Sequence, residues 1–447
     1  MSALSDERSA FSHSSASSIP SVVDKIDLDV LASLATDTHP ESLPCVVNPT
    51  YKYGGYNIIW FITFSNGDEW VARIPVTSYS PLMERRMRSD MLALQLIQSR
   101  TNIPTPAIYA FSPVIDNSLG RPYTLMSKVR GTQLSKLWFD EEWFTSERRR
   151  TFFSSMAKTM AQLKVLTFPA MGSLGQADGG EIRVGPLLPN LYTLDDNPTS
   201  PITGSFASVH SYLNDSIARQ LQKAADPASK ASLVLLRLLA NALPDEFLDG
   251  PPFVLTLPDY AYQNIFVDND GNVTGLIDWD NVDVVPRQCG YAQYPSWLTR
   301  DWNPAVYRYP PEDEVAALVY EEGQSSVTEG PETATQPETP IMRDEAHIPS
   351  RAVIHEDSPT VLQMFRQEYF DAYQAVDPEG AKSTRSSHVF EAIVTAIYNT
   401  DFRDSIVDKL CRYVFGNAAD PGGTLSHWML KRGIGQGEWL EDMEELL

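Results

Sequence analysis

The stretch LTLPDYAYQNIFVDNDGNVTGLIDWDN, residues 255–281, decides how this chain is read. Asn264 to Val267 and Val273 to Ile277 are short runs rich in β-branched residues, separated by Asp268-Asn269-Asp270-Gly271-Asn272, so the segment reads as two strands and a turn. Closing that hairpin carries Asn264, at the head of the first strand, back beside Asp278, just past the second. Asp259 stands five residues before Asn264. Two carboxylates and an amide on one side of a cleft suit a metal–phosphate cluster. Mg2+ takes hard oxygen ligands, and a hydroxyl that attacks a phosphoryl group must be positioned and relieved of its proton. The turn itself resembles the start of a calcium loop. Its glycine falls at the fourth position rather than the sixth, which favours a hairpin turn.

Outward toward the N-terminus the pattern is strand-rich. Tyr56 to Phe64 (YNIIWFITF) reads as a strand, Ser65-Asn66-Gly67-Asp68 as a hairpin turn, and Glu69 to Val76 (EWVARIPV) as the returning strand. Residues 84–100 predict a helix with Met87, Met91 and Leu94 on one face, stopped by Ile103-Pro104-Thr105-Pro106. AIYAF and RPYTLMSKV supply further strands. Residues 24–36 predict a short amphipathic helix, and the Ser-rich residues before them, 1–23, a disordered tail. From residue 130 the pattern turns helical, with candidates at 146–166, 205–243 and 359–447. An acidic, Pro- and Thr-rich insertion at about 321–358 is expected to be disordered. The order implies an α+β fold with a small β-rich N-lobe over residues 24–129, a larger helical C-lobe over 130–447, and a cleft between them.

Pro258-Asp259, Asn264 and the later Ile277-Asp278-Trp279-Asp280 together resemble the catalytic segment of the aminoglycoside-phosphotransferase-like family, a branch of the protein-kinase-like two-lobed fold. The resemblance covers residues 50–310, and Tyr294-Pro295-Ser296-Trp297 to Asp301-Trp302 is similar to the fungal members. It implies a transfer of phosphate from ATP, with Mg2+, to a hydroxyl of a small molecule. By the same resemblance Asp259 is the catalytic base, and Asn264 and Asp278 are the metal ligands. Gly54, Gly55 and Asn57 match the turn that covers the phosphates. Arg73 is the cation that contacts them, with Asp90 as its ion-pair partner on the helix. The chain departs from the family in four places. Leu257 and Ala261 stand where polar side chains are usual, Arg73 replaces a lysine, and Asp90 is a methylene shorter than the usual glutamate. These departures raise a second reading, a catalytically weak, pseudokinase-like binding module that uses the acidic insertion for contacts. Asp280 and Asp283 are open to two readings, facing a cationic substrate or capping and solvating the loop.

Composition narrows the partners. A formal net charge of −23 repels nucleic acid and anionic membranes and makes a bridging divalent metal necessary for holding a polyphosphate. No stretch is apolar enough to span a membrane, and the N-terminus lacks a secretory core. The three cysteines, Cys45, Cys289 and Cys411, are far apart and read as thiols of a cytoplasmic protein. The identity of the acceptor is not legible, because fold does not settle substrate.

Overall fold

The computed structural model describes residues 20–54, 56–190, 202–242, 246–310 and 355–415. The chain opens with a helical turn at residues 20–23 and then α1 (Leu28–Thr38), whose Asp27 side chain caps the helix by accepting from the Asp29 and Val30 amides. Residues 20–23, expected within a disordered tail over residues 1–23, are helical because Val22 is buried against the sheet that follows; the rest of that expected tail, residues 1–19, lies outside the described residues.

The sheet is built from β1 (Cys45–Val47), β2 (Lys52–Tyr53), β3 (Asn57–Phe64) and β4 (Glu69–Pro75). After α2 (Pro81–Arg100) it is completed by β5 (Ile108–Ser112) and β6 (Tyr123–Ser127). Its strands run antiparallel in the order β1-β3-β4-β6-β5, with β2 also on β3. β3 alternates inward and outward as a sheet with one face on a core must, burying Ile58, Trp60, Ile62 and Phe64. Gly67, at φ +90°, makes the β3–β4 turn, and the register that follows puts Arg73 opposite Ile59 and Thr124.

The helical lobe follows: β7 (Thr132–Gln133), α3 (Ser146–Met160), β8 (Thr167–Phe168), β9 (Gly172–Gln176), β10 (Ile182–Val184), α4 (Val209–Lys223) and α5 (Pro227–Ala242). Then come β11 (Phe253–Val254), β12 (Ile265–Val267), β13 (Val273–Leu276), β14 (Asp283–Val284), α6 (Pro359–Val376), α7 (Pro378–Tyr398) and α8 (Thr400–Phe415). Two large apolar cores result among the described residues, beside a small third cluster around Met83 and Met87. One lies on the sheet and α1, around Leu31, Trp60, Trp70 and Leu125. The other fills the helical lobe, around Trp138, Phe152, Phe253, Tyr369 and Ile393. The fold is therefore the two-lobed α+β arrangement read from the sequence. The helix candidate at 205–243 forms as two helices that break after Lys223, where Asp226 accepts from the Ser229 amide and Pro227 starts α5. The expected insertion at 321–358 lies outside the described residues up to 354. At its end, Glu356 and Asp357 are buried, bound by Arg300 and the Trp138 indole, and so belong to the core of this lobe. The helical patterning expected beyond Phe415 also lies outside the described residues. No described helix is long and apolar enough to cross a membrane.

α2 belongs to both lobes: Met83 and Met87 pack near the sheet with Phe111, while Ala93, Leu94 and Ile97 join the helical core. Its first turn is fixed by Ser80, whose hydroxyl accepts from the Met83 amide at 3.1 Å, with Pro81 at the first helical position. Ser80→Ala is expected to lower stability by about 1 kcal/mol in urea unfolding, with an unchanged m-value.

Candidate active site

The hairpin read from the sequence forms. Ile265 pairs with Leu276, the Ile277 amide donates to the Asn264 carbonyl at 2.9 Å, and the turn closes on Asp268, which accepts from the Asp270 and Asn272 amides. Gly271 is required there. At φ +94° it lies so close to α3 that a Cβ would stand 2.7 Å from the Arg148 carbonyl oxygen. The hairpin is thereby seated on the helical lobe and its open end is presented to the cleft.

Asn264 is buried, and its amide donates to the Asp259 carboxylate at 2.7 Å and to the Asp259 carbonyl at 3.0 Å. Gln263 adds a longer contact to the same carboxylate, 3.4 Å. Asp259 is thus held by amide donors, with its own loop pinned from below. Leu257 is fully buried in the helical core, and Ala261 is nearly so. Asp278 follows β13 in the left-handed region, at φ +64°, and Asn281 repeats that conformation at φ +61°. Such backbone is uncommon outside glycine, tolerated best by Asp and Asn, and clusters at functional sites. It turns Asp278 and Asp280 up toward the sheet.

From the sheet, Arg73 comes down to meet them. One guanidinium nitrogen binds the Asp278 carboxylate, and the other donates to Asp280 at 2.7 Å. Asn57 also donates to Asp280, at 3.2 Å, and its carbonyl accepts from the Gly54 amide at 3.0 Å. Gly55 lies outside the described residues. The turn bearing Gly54 and Asn57 is therefore tied to the carboxylates that follow the hairpin.

The expected Arg73–Asp90 ion pair is replaced. Asp90 accepts from Arg86, one turn earlier on α2, at 2.7 and 3.1 Å, and from the Val282 amide at 2.9 Å. Arg86 is fully buried and also binds Asp283 at 2.8 Å, Ser173 at 3.2 Å and the Val282 carbonyl at 2.9 Å. Ser173 donates to Asp283 in turn, at 2.5 Å. Burial opposes the Arg86 charge, but Asp283 and Asp90 hold the guanidinium protonated above its ordinary range. The physical reason for the replacement is reach. Arg86 and Asp90 share one helix face at i, i+4, while Arg73 finds two carboxylates directly below it. Sequence reasoning missed Arg86 and Ser173, and left the role of Asp283 open. The Arg86–Asp90 spacing was the available signal.

Electrostatics follow from the count. Five carboxylates, Asp90, Asp259, Asp278, Asp280 and Asp283, gather around two guanidiniums, so the cluster keeps an excess of negative charge. Burial raises the Asp278 carboxyl above its usual range, and Asp280 and Asp259 add repulsion against the pull of Arg73. A cation would relieve that repulsion. Among the described residues, no group of three or more His, Cys, Asp or Glu is set to hold an ion alone. The donors that fit are the Asp278 carboxylate and the Asn264 amide oxygen, the remaining positions being left to phosphate oxygens and water, as suits Mg2+.

Two cavities flank the cluster. One of about 60 Å3 lies between sheet and α2, lined by Arg73, Asp90, Met126, Asp278 and Asp280 among others. The other, of about 250 Å3, lies in the helical lobe and is lined by Asp259, Gln263, Trp297, Trp302, His388 and Glu391 among others. Asp278 lines the first, Asp259 the second.

A sequence profile described as the phosphotransferase enzyme family matches residues 54–309, more than half of the chain. Among curated proteins, a subtelomeric hrmA-associated cluster protein of Aspergillus fumigatus is 28% identical over 121 residues, 27% of this chain and 23% of that protein. The altered inheritance of mitochondria protein 9 of Debaryomyces hansenii is 28% identical over 152 residues, 32% of this chain and 24% of that protein. The matches thus span about a quarter of the length of these relatives. Among solved structures, a macrolide 2'-phosphotransferase type I superposes with a TM-score of 0.40 at 14% identity, covering 86% of this chain and 96% of that one. An amicoumacin kinase in complex with AMP-PNP, Ca2+ and Ami gives a TM-score of 0.39 at 11% identity, covering 87% of this chain and 96% of that one.

Proposed function

This chain belongs to the phosphotransferase enzyme family, and from that premise we propose that it moves the γ-phosphoryl group of ATP, with Mg2+, to a hydroxyl of a small molecule in the cytoplasm. The observation that carries the reading is the position of the Asp259–Asn264–Asp278 cluster between a cavity on the sheet side and a cavity in the helical lobe. The nucleotide takes the sheet side and the acceptor the helical side. The cytoplasmic assignment rests on the three cysteines, all of which are free thiols.

The Asp278 carboxylate and the Asn264 amide oxygen would hold Mg2+, which when bound would supply neutralisation of the phosphate charge. Asp259 accepts the proton of the acceptor hydroxyl as its oxygen bonds to the γ-phosphorus. The bond from that phosphorus to the bridging oxygen of ADP breaks, and ADP keeps the electron pair. The Asn264 and Gln263 amides hold the Asp259 carboxylate toward the acceptor cavity. Arg73, which stands over the Asp278 and Asp280 carboxylates, is placed to pair with phosphate oxygens of the nucleotide. Its planar fork suits two oxygens at once. Asn57 and Gly54 close the turn over the phosphates.

The reading is tested by incubating the purified protein with Mg2+ and ATP labelled at the γ-phosphate, against a panel of hydroxylated small molecules. Label in an organic phosphoester, dependent on the protein, is the expected result. Nucleotide binding with no transfer to any acceptor would return the binding-module reading raised by Leu257 and Ala261.

A further inference from the structure

Both oxygens of the Asp280 carboxylate are used across the cleft. One accepts from Arg73 at 2.7 Å, the other from Asn57 at 3.2 Å. Asn57 and Arg73 come from the sheet, on β3 and β4, and the Asn57 carbonyl in turn accepts from the Gly54 amide. A single carboxylate is thus the fixed point for the cation of the sheet and for the turn that bears Gly54.

That carboxylate is itself held from α2. Asp280 lies between two left-handed residues, Asp278 at φ +64° and Asn281 at φ +61°, and such backbone persists only where its surroundings over-determine it. Val282, directly after them, is gripped twice: its amide donates to Asp90 and its carbonyl accepts from the buried Arg86, each at 2.9 Å. Asp90 is committed to Arg86 and Val282, so α2 acts on Arg73 at one remove, through the segment that carries Asp280.

The identity of the cation fits this arrangement. A lysine ammonium is a point charge whose donors turn freely. A guanidinium is planar, so fixing one of its nitrogens fixes the direction of the other. One Arg73 nitrogen is on Asp280 and the other on Asp278. Asp278 is a donor that suits a metal, so the nitrogen on it is the one to change partner. We propose that Asp280 is the positioning residue of this site: it keeps one arm of Arg73 and aims the other at the polyphosphate, the task expected of Asp90. The proposal rests on the phosphotransferase reading for the identity of the ligand, and it gives a reason for an arginine at 73.

The test is calorimetric binding, without turnover, of a β,γ-imido analogue of ATP with Mg2+. Wild type, Asp280→Ala, Asp280→Asn, Arg73→Lys and the double variant Arg73→Lys, Asp280→Ala are compared. Asp280→Ala is expected to weaken binding by about 10- to 100-fold, the scale of a lost hydrogen bond to a charged group. Asp280→Asn removes the same charge but keeps an oxygen for Arg73, and is expected to stay within about threefold of wild type. Loss of charge alone predicts the opposite sign, since one carboxylate fewer repels a polyphosphate less. Arg73→Lys is expected to weaken binding about 10-fold. On that background Asp280→Ala is expected to cost less than about threefold, because an ammonium has no second arm to aim. A merely structural Asp280 would cost the same on both backgrounds.

Binding by Asp280→Ala as tight as wild type or tighter, or an equal loss on the two backgrounds, would overturn the proposal and leave the phosphotransferase reading standing. An equal loss in Asp280→Asn would place the effect in the charge rather than the aim, and would overturn it too. Should Asp280→Ala not fold, Arg73→Lys decides alone: binding as tight as wild type would mean that the fork aims nothing. A wild type that binds no analogue removes the phosphotransferase reading and the proposal together.

Discussion

Asp259→Asn is expected to lower kcat for phosphate transfer by about 100- to 10,000-fold, the range for losing a general base, while leaving the KM for ATP within about threefold. The substitution is nearly isosteric. An asparagine oxygen at 259 can still accept from the Asn264 amide, which now stands 2.7 Å from the carboxylate, and the second Asn264 contact is to main chain. The loop is therefore expected to keep its shape, and what disappears is the capacity to take a proton. The nucleotide side should be little changed, because Arg73, Asp278 and Asp280 do not depend on Asp259 for their hydrogen bonds. A variant with unchanged turnover would mean that the proton leaves by another route, and Asp259 would lose its assigned role.

Arg86→Met is expected to destabilise the protein by about 3–5 kcal/mol, read as a lower urea midpoint at constant m-value. Arg86 is fully buried and holds Asp90 and Asp283 at once, so its removal leaves two carboxylates in the interior with no cation between them. Burial and Asp280 already raise the Asp90 carboxyl against the pull of Arg86, so the loss falls on a group that is costly to keep ionised. Much of the damage should be recovered in the triple variant Arg86→Met, Asp90→Asn, Asp283→Asn, which removes the stranded charges. Strong non-additivity of this kind marks residues in one network. A single-variant cost below about 1 kcal/mol would show that water reaches the cluster and that Arg86 is not the tie between α2 and the segment after the hairpin.

The contrast between these two residues shows what the sequence discloses. Asp259, Asn264 and Asp278 were legible because a turn and two strand runs fix their separation locally. Once the hairpin closes, Asn264 must lie beside Ile277, and no distant packing can alter that. Arg73 was placed on its strand by the same local logic. Its partner was not, since which carboxylate it meets depends on how the two lobes approach. Asp280, 207 residues away, takes the bond that Asp90 was expected to make. Arg86 sits in the run Glu84-Arg85-Arg86-Met87-Arg88, which looks like a solvated helix face, and only the tertiary fold turns that one arginine inward. The small strands β9 and β10 were lost for a similar reason: both are short, β9 (GSLGQ) is glycine-rich, and β9 is held by its pairing with β10 on one side and β14 on the other rather than by its own propensity.

The measurement that bears most directly on the central claim is the melting temperature of wild type and Asp278→Asn, each with and without Mg2+ and ATP. With ligand at 100 times its dissociation constant, wild type is expected to gain about 2.7 kcal/mol, seen as a clear upward shift, and Asp278→Asn is expected to gain almost nothing. No shift in wild type with either ATP or GTP, or an equal shift in the variant, would contradict the account: the carboxylates gathered at the end of the hairpin would then not be a nucleotide–metal site.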